Sequence, residues 1–219
     1  MSEPTALGLS ARTGAIMVGF SVVFTAVMAF THDATEATIE ASAKAEKLKL
    51  VSEVLPPDSY NNDLIADRLS LGPTPALGLE EGGQVYRARK NGQDVALVLE
   101  AAAPDGYSGR IDLIIALHAD GSLGGVRAVA HRETPGLGDY IDPRKDKDKQ
   151  HPWITQFTHL NPSQLPLEQW KVRKDGGQIA YHTGATISAR AVTNAVARAT
   201  AYAQEHQAEL FAPRGDARP

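Results

Sequence analysis

The spacing of hydrophobic and polar positions changes several times along this chain. Thr13 to Thr31, TGAIMVGFSVVFTAVMAFT, carries no charged residue. Wound as a helix, these 19 residues reach about 28 Å, close to the thickness of a bilayer's hydrocarbon core. The segment predicts a retained single-span anchor. The competing reading is a cleaved signal peptide, with Arg12 as its basic flank and Val27-Met28-Ala29 as the cleavage site. From Asp33 to Leu55 the chain is rich in Ala, Glu and Lys. Ile39, Ala43, Leu48, Val51 and Leu55 approximate one face, so a helical stalk is expected. PPDSYNNDL, 56 to 64, breaks that helix, and residues 70 to 83, with Pro73, Pro75, Gly78, Gly82 and Gly83, read as a loop.

From Gln84 apolar residues alternate with polar ones. QVYRARKNGQDVALVLEA contains two strand-like runs around Asn91-Gly92, a hairpin signal, and RIDLIIALHADGSLGGVRAVAH repeats the pattern around Asp120-Gly121. Residues 84 to 131 therefore predict an antiparallel meander of four strands. DPRKDKDKQHP, 142 to 152, reads as a solvated charged loop. Short elements should follow, ending in a strand near Gln178 to Tyr181. A final helix is expected over Ile187 to Glu209, with Val192, Ala195, Val196, Ala199 and Ala203 as its apolar stripe. The last residues, APRGDARP, read as flexible. The class is α+β: one membrane helix, then an antiparallel sheet with packed helices.

Composition narrows the chemistry. Net charge is −4, which argues against a nucleic-acid surface. The sequence has no cysteine, which removes disulfides, thiolate-bound zinc and Cys-ligated iron–sulfur clusters. The seven histidines show no ligand spacing, and no metal is assigned. No G-x-G-x-x-G follows an expected strand, so a dinucleotide fold is not indicated. Arg12 before the span, and Asp33, Glu36 and Glu40 ahead of the first lysine after it, lean toward a cytoplasmic N-terminus, a lean that Lys44, Lys47 and Lys49 blunt.

Two short segments stand out. HRETPGLGD, 131 to 139, closes the meander. Pro135-Gly136 suits the centre of a type II turn, and Gly138 offers a second close backbone approach. YHTGATISARAV, 181 to 192, puts a small, hydroxyl-rich turn ahead of the last helix. Thr183 or Thr186 could be a plain N-cap. The same geometry could instead present free N–H groups to a phosphate. Tyr107, Trp153 and Tyr181 are candidates either to stack on a flat ligand or to fill the core.

TGATISARAV resembles the S/T-G-A-T-x-S/T motif of the covalent-FMN domain. ETPGLGD resembles the companion loop of the G subunit of the Rnf (Rsx) ion-translocating electron-transport complexes. GYSGRIDLIIAL, 106 to 117, and LPPDSYNNDL resemble further segments of that family. The likeness runs from the anchor to about Ala203. It implies FMN joined by a phosphoester to Thr186, with Thr183, Gly184 and Ala185 shaping the turn around the phosphate. It also implies that Glu133, Thr134, Pro135, Gly136, Leu137 and Gly138 form a loop at the flavin. Where the family often has an acidic residue before the core, this sequence has Tyr181-His182.

The resemblance further implies an electron relay rather than a complete enzyme. Its expected partners are the other subunits of a membrane complex, a flavin transferase for maturation, and lipid. The expected location is the bacterial inner membrane, single-pass, with the C-terminal domain periplasmic. The implied layout is a cytoplasmic tail at 1–12, a membrane helix at 13–31, a stalk and loop at 32–83, the FMN-binding domain at 84–205 and a flexible tail at 206–219. Alternative readings are an FMN-domain donor to a separate extracytoplasmic reductase, the C subunit of a sodium-pumping NADH:quinone reductase, and a non-redox anchored binding or assembly module.

Overall fold

A computed structural model describes residues 6–212; most of the expected flexible end, and the first residues of the N-terminal tail, lie outside them. The chain divides into two units, residues 1–48 and 49–219.

The first unit is helical. Helix α1 runs unbroken over Ala6–Val54, joining the expected anchor and stalk. No Pro or Gly falls between Gly19 and Val54, so nothing in the sequence forces a break. Thr31 Oγ1 donates to Val27 O at 2.8 Å and Thr35 Oγ1 to Thr31 O at 2.8 Å, so these hydroxyls are satisfied within the helix. Arg12–Glu36 is long and apolar enough to cross a bilayer, with a mean hydropathy of 2.0. Its large apolar side chains, among them Phe20, Phe24 and Phe30, are exposed.

The second unit is built on a five-stranded antiparallel meander: β1 (Arg68–Leu71), β2 (Gly83–Lys90), β3 (Gln93–Gly106), β4 (Gly109–His118) and β5 (Leu123–Ala130), in that spatial order. Four of these are the expected strands. Asn91 and Gly92 both have positive φ, 54° and 80°, as a two-residue type I′ hairpin requires. β1 forms inside the segment expected to be irregular. It is a short edge strand that pairs Leu69 with Val85 and Leu71 with Gly83, and Pro73 follows just beyond it.

The sheet is covered on both faces, which explains the near-continuous apolar run of β3. One face carries Val85, Leu97, Leu99, Leu113, Ile115 and Val126 in a core shared with helix α2 (Thr186–Glu205). The small residues Ala189, Val192, Val196, Ala199 and Ala203 line the buried stripe of α2. The opposite face carries Tyr86, Ala88, Val98, Ile114 and Ala116, packed with Val51, Val54 and Leu55 from the end of α1. Here Gly125 allows a close approach: a Cβ on it would lie 3.1 Å from the Val54 Cα.

Two expectations fail. No strand forms at Gln178–Tyr181; Val172 and Ile179 share only an isolated parallel bridge. At Ala180 side chains take the backbone groups a strand would use. The Gln156 Oε1 accepts from Ala180 N at 2.8 Å, and Trp153 Nε1 donates to Ala180 O at 2.7 Å. The C-terminal segment is also not a loose tail from residue 206. α2 stops at Glu205, and a short helix α3 (Gln207–Phe211) follows, burying Leu210 and Phe211. Arg89 Nη2 donates to Phe211 O at 2.7 Å and Arg87 Nη1 to Ala212 O, which pins this end to β2.

Candidate functional site

The two sequence segments singled out for chemistry meet at one end of the sheet. β5 ends at Ala130, and the chain turns through 131–137. Leu137 N and Gly138 N both donate to Thr134 O at 3.1 Å, and Gly136 has φ 75°. This is the expected turn with glycine in the left-handed position. Asp139 Oδ1 braces it by accepting from Gly136 N at 2.8 Å. Leu137 at the tip is 54% exposed.

Glu133 sits beneath this loop and is buried. Its Oε1 accepts from Ser108 N at 3.0 Å, and its Oε2 accepts from the Ser188 hydroxyl. One carboxylate thus ties together the β3–β4 hairpin tip, the loop and the first turn of α2. Burying a carboxylate requires such donors. Gly138 is needed for the same joint. A Cβ there would fall 2.4 Å from Ser188 Oγ and 2.6 Å from Glu133 Oε2. The space a side chain would take is filled by the protein's own Ser188 and Glu133.

The threonine turn faces this loop. Gly184 has φ 90°, and Ala185 N donates to His182 O at 3.2 Å. The N-cap of α2 is Ala185, with no side-chain cap, and Thr186 is the first helical residue. The plain N-cap reading of Thr183 or Thr186 is thereby excluded, because the N-cap position is held by a residue without an acceptor. The orphan N–H groups of the first turn, and the positive end of the helix dipole, are left without a side-chain partner.

Tyr140 joins the two segments from below. It lies in the 3-10 turn Gly138–Ile141 and is buried. Its hydroxyl accepts from His182 N at 3.3 Å and donates to Ala185 O at 3.2 Å. Its ring stacks on His182, with centroids 4.0 Å apart, and meets Trp153 edge-on at 5.4 Å. Burial pushes its pKa up to about 12, so the hydroxyl stays protonated and remains a donor.

Two cavities flank the contact. One, of about 130 Å³, is lined by Tyr107, Thr134, Leu137, Gly138, Gly184, Ala185, Ile187 and Ser188. Tyr107, Leu137 and Ile187 are three of the few exposed large apolar side chains of the second unit. The other, of about 140 Å³, has a mixed lining that includes Gly136, Leu137, Asp139, Tyr140, Lys145, Asp146, Lys147, His182, Thr183 and Ala185. Of the expected site residues, Thr134, Gly136, Leu137, Gly138, Thr183, Gly184 and Ala185 reach one cavity or both. Glu133 lies beneath them. Pro135 is exposed, Thr186 is half-buried, and neither lines a cavity.

Among the aromatic candidates, only Tyr107 belongs to the site. Trp153 is a core residue, and Tyr181 packs against the main core. Several contributors were not among the expected site residues, Ser188, Tyr140, Lys145 and Lys147 among them. Ser188 is the last residue of the quoted hydroxyl motif, so its signal was present. Tyr140 follows the loop directly. Lys145 and Lys147 belong to the loop read as solvated. An uncapped helix start, an apolar rim and turns with no Cβ contact at Gly136 or Gly184 fit a phosphate joined to a flat ring.

Similarity to known proteins agrees with this site. Residues 106–201 match the FMN-binding domain family, and residues 10–54 match the RnfG N-terminal region. The second unit accordingly contains an FMN-binding domain. The chain is similar over nearly its whole length to proteins named as the G subunits of ion-translocating oxidoreductase complexes. It is 36% identical to that of Pseudoalteromonas atlantica over 208 residues, which cover 95% of this chain and 94% of the relative. It is 38% identical to that of Shewanella oneidensis over 200 residues, covering 91% and 92%. It is 37% identical to that of Vibrio cholerae over 199 residues, covering 91% and 92%. The chain belongs to the G-subunit family of ion-translocating oxidoreductase complexes.

Proposed function

We propose that this chain holds FMN through a phosphoester between the flavin phosphate and Thr186 Oγ1, on the periplasmic side of the inner membrane. Family membership makes it a membrane-anchored electron-carrier subunit of an ion-translocating oxidoreductase complex, with the other subunits of that complex as partners. The observation that supports the threonine is the junction itself. The 133–138 loop and an uncapped helix start meet beside Thr186, around a cavity rimmed by Tyr107, Leu137 and Ile187.

Each element then has a role. The first-turn N–H groups of α2 favour the phosphate charge. Tyr107, Leu137 and Ile187 offer apolar surface to the ring and keep water from one side of it. Glu133 and Ser188 hold the loop against the helix. Bound FMN supplies one- and two-electron redox chemistry, while the protein sets its position and its surroundings. A covalent bond keeps the carrier in a shallow site, where affinity alone would let it escape to the periplasm.

A flavin transferase is the partner that attachment requires. The periplasmic orientation follows the lean of Arg12 before the span, with Lys44, Lys47 and Lys49 beyond it pulling the other way. In this reading residues 32–83 link the anchor to the FMN-binding segment 84–205. The test is flavin fluorescence of the denatured protein in a gel, after expression beside a flavin transferase. A fluorescent band at the chain's mass is expected; a dark band on protein that releases FMN when denatured contradicts covalency.

A further inference from the structure

We propose that Tyr140 is a positioning residue for flavin attachment: its hydroxyl fixes the peptide that leads into Thr186. The inference rests on the Thr186 reading above. Ala185 O is half of the Ala185–Thr186 peptide group, and a planar peptide that is fixed at its oxygen has its N–H direction fixed as well. The Tyr140 hydroxyl donates to that oxygen at 3.2 Å, and it accepts from His182 N at 3.3 Å on the other arm of the turn. The turn between them contains Gly184 at φ 90°, and Ala185 has φ −132° and ψ 38°. A short segment with a left-handed glycine has many alternative shapes. No side-chain cap selects among them at this helix start. The buried hydroxyl supplies that selection from outside the turn.

The tyrosine beneath the hydroxyl is packed on two sides. The ring is 4% exposed, stacked on His182 and held edge-on by Trp153. It follows the 133–138 loop directly, where the neighbouring Asp139 accepts from Gly136 N at 2.8 Å. The flavin-side loop and the threonine turn are thus set by adjacent residues. Thr186 is half-buried, and its hydroxyl has no hydrogen-bond partner among the described residues.

Attachment forms a bond from Thr186 Oγ1 to the phosphorus of FMN. It breaks the phosphoanhydride bond of an activated flavin donor, whose other phosphate leaves with its substituent as a phosphomonoester. The hydroxyl proton leaves with a base of the transferase, and no electrons change hands. Such a substitution needs the hydroxyl in line with the breaking bond, and small misplacements cost rate.

The test is Tyr140→Phe in the full chain, which keeps the ring and removes both hydrogen bonds. With a flavin phosphoanhydride and a flavin transferase, intact mass follows the FMN adduct over time. The expected result is a kcat for modification lower by about 10- to 100-fold, with little change in KM for the acceptor chain and a cooperative melt retained. A merely structural role would leave kcat unchanged at temperatures below the melt. Amide hydrogen exchange on the unmodified chain is the second measurement, with faster exchange expected over residues 183–188 alone. Labelling at the wild-type rate, or unchanged exchange in that segment, would overturn the proposal. If the wild-type chain takes no adduct, the Thr186 reading fails, and the exchange measurement alone decides whether Tyr140 holds the turn.

Discussion

The Ser188 hydroxyl donates a hydrogen bond to Oε2 of Glu133, a carboxylate only 3% exposed. The two residues lie 55 positions apart in the chain, and their contact joins the loop after β5 to the first turn of α2. Ser188→Ala leaves the buried carboxylate with one donor fewer. Leaving a buried polar group short of a partner costs about 1–3 kcal/mol, and more where the group is charged. At this size each kcal/mol lowers the midpoint by ~2–4 °C. Thermal unfolding followed by fluorescence of the buried Trp153 and Trp170 should show the drop. An unchanged midpoint would mean that the joint carries no stability.

Two glycines in the same loop should fail in different ways. Gly138→Ala drives a methyl against Ser188 Oγ and Glu133 Oε2, so it should cost about 1–3 kcal/mol of stability by overpacking. Gly136 has open space around its Cβ position but φ 75°. Gly136→Val therefore meets backbone strain of order 1–3 kcal/mol rather than a clash. It should disturb the flavin absorbance spectrum more than the fold. A folded Gly136→Val protein with an unaltered flavin spectrum would remove this loop from the cofactor's surroundings.

Acid should weaken the fold through His131. Burial first, and the nearby Lys145 second, hold its imidazole below the usual range, against the pull of Asp142, Glu133 and Asp139. Its Nδ1 accepts from Glu133 N at 3.2 Å, which requires that nitrogen unprotonated. The unfolded chain protonates this residue more readily than the folded one. Stability should then fall as pH drops below about 6.5, the unfolded value, and continue to fall until the folded pKa is passed. Denaturant titrations across that window should show the slope, and His131→Asn should flatten it. An equal slope in both proteins would assign the effect elsewhere.

The end of the chain supplies another check. Phe211 is 9% exposed and Leu210 only 2%. Leu210→Ala should cost about 2–5 kcal/mol, visible as a lower denaturation midpoint. A tail without structural role would tolerate the change.

Much of the fold was legible because its signals are local. Asn91-Gly92 fixes a hairpin from two residues, and the apolar run Thr13 to Thr31 marks its helix unaided. β1 was not legible, since four residues become a strand only by pairing with Gly83–Tyr86. The expected strand at 178–181 was lost to Gln156 and Trp153, side chains more than twenty positions upstream. In the site, the loop and the threonine turn could be read as motifs. Tyr140 could not, because its two bonds reach residues 42 and 45 positions away. The packing of Gly138 against Glu133 and Ser188 is likewise one that no local pattern reveals.

The central claim is the phosphoester on Thr186, and intact mass of three proteins tests it most directly. Wild type, Thr183→Ala and Thr186→Ala are expressed beside a flavin transferase. The wild type should carry one FMN adduct, and Thr183→Ala should retain at least part of it. Thr186→Ala should carry none while remaining folded, since no side chain caps this helix start and alanine removes no cap. An FMN adduct on the Thr186→Ala protein would contradict the account.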